Sequence, residues 1–150
     1  DDACPAFWSK QMSSISDLVA YVDGGSRGIR GSAGVGVVIE GAPDGPIRIA
    51  KWIGRHDSNV AEYVALMEAL QCALALKARR LHVYSDSEVV VKQMTGVYQC
   101  RSPRLYSLNW TCRKLARSLE FSISHICRES NVEANTLANR AVRRGTSHQS

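Results

Sequence analysis

Three apolar runs of strand length follow one another before any helical pattern begins, at 18–23, 33–39 and 47–54. The glycine-rich stretch from Gly24 to Gly34 separates the first two, and Ala42-Pro43-Asp44-Gly45-Pro46 separates the second from the third. Turns this short force antiparallel neighbours, so the chain is expected to open as a meander. From residue 60 onward the pattern changes to alternating helices and strands. Residues 60–77 are rich in Ala and Leu, with Leu66, Ala69, Leu70, Ala73 and Leu74 on one helical face, and Asp57-Ser58-Asn59 ahead of them as caps. A strand is predicted at 81–85, a short helix at 87–94 stopped by Gly96, and a helix opened by Pro103 with Leu105, Leu108, Cys112, Leu115 and Leu119 on its face. A fifth strand at 121–127 and a last helix at 132–143, with Leu137, Ala138, Ala141 and Val142 inside, complete the pattern. Strands reached through helical crossovers run parallel, so the fold class is α/β, a mixed five-stranded sheet of three antiparallel strands then two parallel ones, flanked by helices.

A chain of 150 residues suits one domain with a core large enough to need no disulfide or metal support. Its expected organisation is an irregular lead-in at 1–16, a domain at 17–144 and a polar, frayed tail at 145–150. No apolar run approaches 18 residues, which excludes a membrane-spanning helix. The five cysteines form no CxxC pair and read as free thiols of a reducing, cytoplasmic compartment, with Cys72 and Cys127 placed in or near the core. No heptad or long bare apolar stripe asks for a protein partner, so a monomer is expected. The net charge of +5 is unevenly spread: Arg101, Arg104, Arg113, Lys114 and Arg117 form one acid-free stretch, and Arg140, Arg143 and Arg144 another. That asymmetry favours a polyanion such as nucleic acid, although solvated helix faces produce similar clusters.

Asp23, Glu62 and Asp86 each stand where their segment meets a different element. Singly they read as a turn residue, a first-turn acid and a helix cap. In a sheet whose first strand lies beside the fourth, Asp23 and Asp86 emerge together at carboxyl ends, where open α/β sheets place ligands, and Glu62 leans over the same spot. Carboxylates converging in this way suit a hard divalent cation and phosphodiester hydrolysis.

The order of the motifs adds a resemblance. Asp23-Gly24-Gly25-Ser26-Arg27-Gly28, Asn59-Val60-Ala61-Glu62-Tyr63, Tyr84-Ser85-Asp86-Ser87-Glu88 and Arg128-Glu129-Ser130-Asn131 through Asn135-Thr136-Leu137-Ala138 resemble, in sequence, the four motifs of type 1 ribonuclease H. The resemblance covers about 18–144 and implies the ribonuclease H-like fold and an endonuclease that cuts the RNA strand of RNA–DNA hybrids. It implies two Mg²⁺ ions, with Mn²⁺ as a substitute, held by Asp23, Glu62, Asp86 and position 135, with Asp23 bridging both. It also implies substrate contacts at Gly24, Gly25, Ser26, Ser58, Asn59 and Glu88; the basic stretch adds Arg104 on the path of the DNA strand's phosphates, and their place in the loop before the last helix adds Arg128 and Asn131.

Two features depart from the family pattern. The long basic insertion of some members is missing between 96 and 103, as in compact members. Asn135 stands where the family carries an Asp, so the fourth position brings no charge. Its carbonyl oxygen is still expected to face an ion or a water, with weaker occupancy and a slower reaction as the result. The alternative is a binding module of the same fold whose cleavage is impaired by that Asn. Trp110 reads as core packing or a sugar platform, His125 as a structural histidine within the fifth strand, and Gly31 and Gly36 as structural glycines.

Overall fold

The computed structural model describes residues 17–149, so the 1–16 lead-in with Cys4 lies outside the described residues. The elements are β1 (Asp17–Ser26), β2 (Ser32–Glu40), β3 (Ile47–Arg55), α1 (Ser58–Ala75), β4 (Arg80–Ser85), α2 (Glu88–Met94), α3 (Pro103–Ala116), β5 (Glu120–His125) and α4 (Val132–Gln149), with a 3₁₀ turn at Arg128–Ser130 before α4. The sheet order is β3-β2-β1-β4-β5, with β1–β2 and β2–β3 antiparallel and β1–β4 and β4–β5 parallel. The first strand is therefore central, as expected from the crossover pattern.

The main core lies between the sheet and α1, where Leu18, Ala20 and Val22 of β1 and Leu81 and Val83 of β4 meet Tyr63, Leu66 and Leu70. α3 closes this side with Leu105 and Cys112. Tyr63 is buried whole, and its hydroxyl is shared between Gln93 Oε1 at 2.5 Å and Asn109 Nδ2 at 3.0 Å. Those bonds tie α1, α2 and α3 together and offset the desolvation of the buried oxygen.

On the other face α4 covers β2, whose residues from Ser32 to Ile39 are all buried. Small residues let it sit close. A Cβ on Gly36 would lie 2.1 Å from the Ala134 carbonyl oxygen, and one on Gly34 would lie 2.8 Å from the Ala141 Cβ. Asn131 pins the start of the helix by donating from Nδ2 to the Val22 carbonyl at 2.9 Å. The helix does not stop at Gly145: it runs on through Gln149, and Gly145 gives the Trp52 indole room that a Cβ would fill. The expected frayed tail at 145–150 is thus helical as far as it is described.

Gly24 brings α1 against β1. A Cβ there would stand 2.2 Å from the Ala61 carbonyl carbon, with no flexible side chain to yield. Gly24→Ala should therefore cost about 3 kcal/mol, the upper part of the range for overpacking, and should displace Glu62 as well. Urea unfolding checks this, and an unchanged midpoint would contradict the close approach.

Smaller corrections concern side chains. The cap of α1 is Asp57, which accepts from Val60 N at 2.9 Å, so Ser58 and Asn59 are inside the helix rather than caps. Cys72 packs against the core as expected, whereas Cys127 is exposed, and among the described residues Cys112 is the buried thiol. Trp110 is 51% exposed with Lys114 over its ring, so it is not core. Its helix turns the Leu105 and Cys112 side inward, and Trp110, about 140° round the helix from Leu105, points away from it. No helix among the described residues is long and apolar enough to cross a membrane.

Candidate metal and nucleic-acid site

The last parallel pair between β1 and β4 is Val22 with Ser85. Asp23 and Asp86 are the next residue on each chain segment. β4 ends there, whereas β1 continues to Ser26 paired with β2, so Asp23 sits within its strand and loses only the neighbour on the β4 side. That gap is what opens the site. α1 crosses it, and carboxylate oxygens of Asp23, Glu62 and Asp86 lie within 4.8 Å of one another.

Asp23 and Glu62 are held from behind. Glu62 Oε1 accepts from the Gly24 backbone N–H, which the close contact of Gly24 with Ala61 makes possible. Asp23 Oδ2 accepts from Asn135 Nδ2 at 2.9 Å, and Asn139 Nδ2 donates to Asn135 Oδ1 at 3.2 Å. An ionised carboxylate only accepts, so the amide must turn its nitrogen to Asp23. Its carbonyl is directed to Asn139, and not to the cluster as expected from the sequence. Position 135 reaches the cluster for two reasons: Gly36, the partner of Asp23 across β1–β2, lets α4 approach at Ala134, and Asn131 fixes the helix start one turn earlier.

Crowding of three acids in a buried place shows in their protonation. Asp23, 4% exposed, is pushed up to about 6 by burial and then by the Asp86 charge, against the bonds from Asn135 and Glu62. Burial, and then the charges of Asp23 and Asp86, raise Glu62 well above the usual carboxylate range. A metal-free cluster thus repels itself, and all-oxygen anionic donors at this spacing fit a hard divalent cation.

The carboxylates floor an open cleft of about 290 Å³, lined by Asp23, Gly24, Ser58, Asn59, Glu62, Asp86, Ser87, His125, Ile126, Cys127 and Arg128. Of the residues expected at the substrate, Gly24, Ser58, Asn59 and Arg128 are in this lining. Gly25 and Ser26 continue β1 past it, with the Ser26 hydroxyl turned to the Gly28 carbonyl at 3.1 Å. Glu88 is exposed at the start of α2 and paired with Lys92 at 2.5 Å, which lowers its pKa. Arg104 is paired with Asp57 at 2.6 Å. Asn131 is 2% exposed and spent on Val22, so it acts on the fold and has no surface to offer a substrate.

His125 is a cleft residue that the sequence pattern hides. It ends β5 opposite Ser85, one residue from Asp86, and is an exposed part of the cleft wall. A clue exists in the topology: the parallel register Val22–Ser85–His125 brings 23, 86 and 125 to one edge. Glu133 and Glu129 do not substitute for the absent acid. Glu133 is paired with Arg48 on the other side of α4, and Glu129 is exposed in the 3₁₀ turn.

A mixed sheet of this order with three acids at the end of its central pair defines a ribonuclease H-like nucleic-acid-processing domain. The family model described as "Reverse transcriptase-like" matches residues 21–141. The chain is 37% identical over 125 residues to Ribonuclease HI of Halobacterium salinarum, spanning 82% of this chain and 63% of that protein. It superposes with a TM-score of 0.84 on the N-terminal RNase H domain of Rv2228c from Mycobacterium tuberculosis, at 33% identity and with 90% of this chain and 99% of that one covered. LC11-RNase H1, solved in complex with RNA/DNA hybrid, gives a TM-score of 0.78 at 33% identity, covering 85% and 97%. The chain belongs to the type 1 ribonuclease H family. It spans 63% of the Halobacterium protein and 35% of the full Rv2228c protein.

Proposed function

We propose that this protein hydrolyses the RNA strand of RNA–DNA hybrids, as an endonuclease that depends on Mg²⁺ or Mn²⁺. The observation that carries the reading is the convergence of Asp23, Glu62 and Asp86 within 4.8 Å, in a chain whose relatives include a ribonuclease H1 solved with a hybrid. Bound at these carboxylates, divalent ions supply the positive charge that activates water and stabilises the departing 3′-oxygen.

The protein's own residues prepare that chemistry. Asn135 and the Gly24 N–H fix one oxygen each of Asp23 and Glu62, so the remaining oxygens are pre-aimed at the cleft. Ser58 and Asn59, on the first turn of α1, face the cleft where a ribose 2′-hydroxyl would pass, the contact by which a protein tells RNA from DNA. Arg128 offers a phosphate contact on the opposite wall. The DNA strand's path is assigned to α3 and the loop before it, where Tyr98, Arg101, Tyr106 and Arg113 line a second cavity and Trp110 stands exposed beside Lys114. A monomer in the cytoplasm is part of the same reading, and the exposed free thiol of Cys127 supports the reducing compartment.

Asn59→Ala tests the strand assignment. It should weaken cleavage of a hybrid about tenfold, the scale of one hydrogen bond, with no change in affinity for duplex DNA. Equal losses on both duplexes would show that Asn59 does not read the ribose.

A further inference from the structure

The β1–β2 hairpin tip and the end of α4 meet around one residue. Ser32 accepts the Arg27 backbone N–H at 2.9 Å through its carbonyl. Its register partner on β3 is Arg55. Its hydroxyl donates to the Val142 carbonyl of α4 at 3.1 Å and accepts from Trp52 Nε1 at 3.0 Å. His56, which follows Arg55, donates its backbone N–H to the Gly31 carbonyl at 3.1 Å. Three separate segments thereby bring Arg27, Arg30 and Arg143 to one region, with Arg55 at its border, all four exposed.

None of these four arginines has an ion-pair partner among the described residues. Asp57, two residues from Arg55, is already committed to Arg104. The unpaired guanidiniums of Arg27, Arg30 and Arg143 repel one another in the free protein, which a polyanion relieves. The patch is also continuous with the cleft. α4 runs from Asn135 at Asp23, past Asn139, to Arg143, eight residues or about 12 Å along the helix. On a nucleic-acid duplex that distance is about three to four base-pair steps of 3.4 Å. Arg143 lies on the α4 side of the sheet and Arg27 and Arg30 at the hairpin tip, whereas Arg55, two residues from the Asp57–Arg104 pair, shares the α1 face of β3 with Lys51 and borders the basic surface of α3.

We propose that Arg27, Arg30 and Arg143 form a second phosphate-binding surface that grips the hybrid about three to four base-pair steps from the cut, on the hairpin side. This rests on the hybrid reading of the carboxylate site. The surface contacts backbone and not bases, because guanidiniums on a hairpin tip and a helix flank present no fixed edge to a groove.

The test is the salt dependence of binding, measured by fluorescence anisotropy with a labelled RNA–DNA hybrid of about 18 base pairs in the absence of divalent ions. Each lost phosphate contact lowers the magnitude of the log–log slope by about 0.9. The triple variant Arg27→Ala, Arg30→Ala, Arg143→Ala should therefore show a slope smaller by about two to three, with the turnover rate on saturating hybrid unchanged. The matching triple Lys variant should keep the parent slope, which separates charge from folding. An unchanged slope in the Ala triple, in a protein that still binds and cuts the hybrid, would overturn this surface alone. If the parent chain binds no hybrid even at low salt, the reading of the carboxylate site fails and this surface fails with it.

Discussion

Replacing Asp23 by Asn should lower hybrid cleavage at least ~100-fold, the scale of losing one electrostatic contact to charge that develops in the transition state, while stabilising the metal-free protein at neutral pH. The two effects have one cause. Asp23 is buried beside Asp86 and Glu62, and its folded pKa is raised from 3.8 to about 6. A group raised on folding contributes stability that is fully present below its unfolded pKa and is lost as pH rises through the folded one. The metal-free parent should therefore lose about 3 kcal/mol between about pH 4 and pH 6 through this group. Asp23→Asn removes the titration, so its melting temperature in EDTA at neutral pH should exceed the parent's by roughly 5–10 °C. Mg²⁺ should raise the parent's melting temperature and leave the variant's nearly unchanged. A parent whose melting temperature in EDTA is flat from about pH 4 to pH 7 would contradict the crowding.

The second large effect is at Asn135. Its amide nitrogen donates to Asp23 Oδ2, so Asn135→Asp exchanges a donor for a like charge at 2.9 Å. Without metal the variant should be less stable than the parent at neutral pH, because a fourth carboxylate joins the repelling cluster. With metal the order should reverse. A carboxylate meets a divalent ion with charge and an amide does not, so the Mg²⁺ concentration for half-maximal cleavage should fall on the order of tenfold. Calorimetric titration of the metal into both proteins reads the same change without any turnover. Identical metal affinities would show that position 135 plays no part at the ion.

The acids themselves were legible because strand ends and a crossover helix leave few places for them to go. The finer geometry was not. Asp23 reads as the end of a strand because glycines follow it, yet glycines 24 and 25 stay in β1. Gly24 is there for the contact with Ala61, which no local pattern reveals. Asn131 looks like a loop residue free to bind, but its amide is used on the Val22 carbonyl, distant in sequence and adjacent only after folding. His125 and Cys127 were misplaced for a related reason: β5 is an edge strand that ends at His125, so the side His125 faces depends on the register with β4, and Cys127 lies beyond the strand's alternation. The orientation of Asn135 depends on Asn139, a neighbour that acquires meaning only once α4 is docked.

The central claim is that this carboxylate cluster cuts RNA paired with DNA. The direct measurement uses one labelled RNA strand, presented alone, paired with RNA and paired with DNA, each incubated with the purified chain in Mg²⁺, in Mn²⁺ and in EDTA. Internal cuts in the RNA should appear only when it is paired with DNA and only with a divalent ion, and Asp23→Asn should remove them. Tight binding of the hybrid with no cut in either metal, or cleavage that persists in Asp23→Asn, would contradict the account.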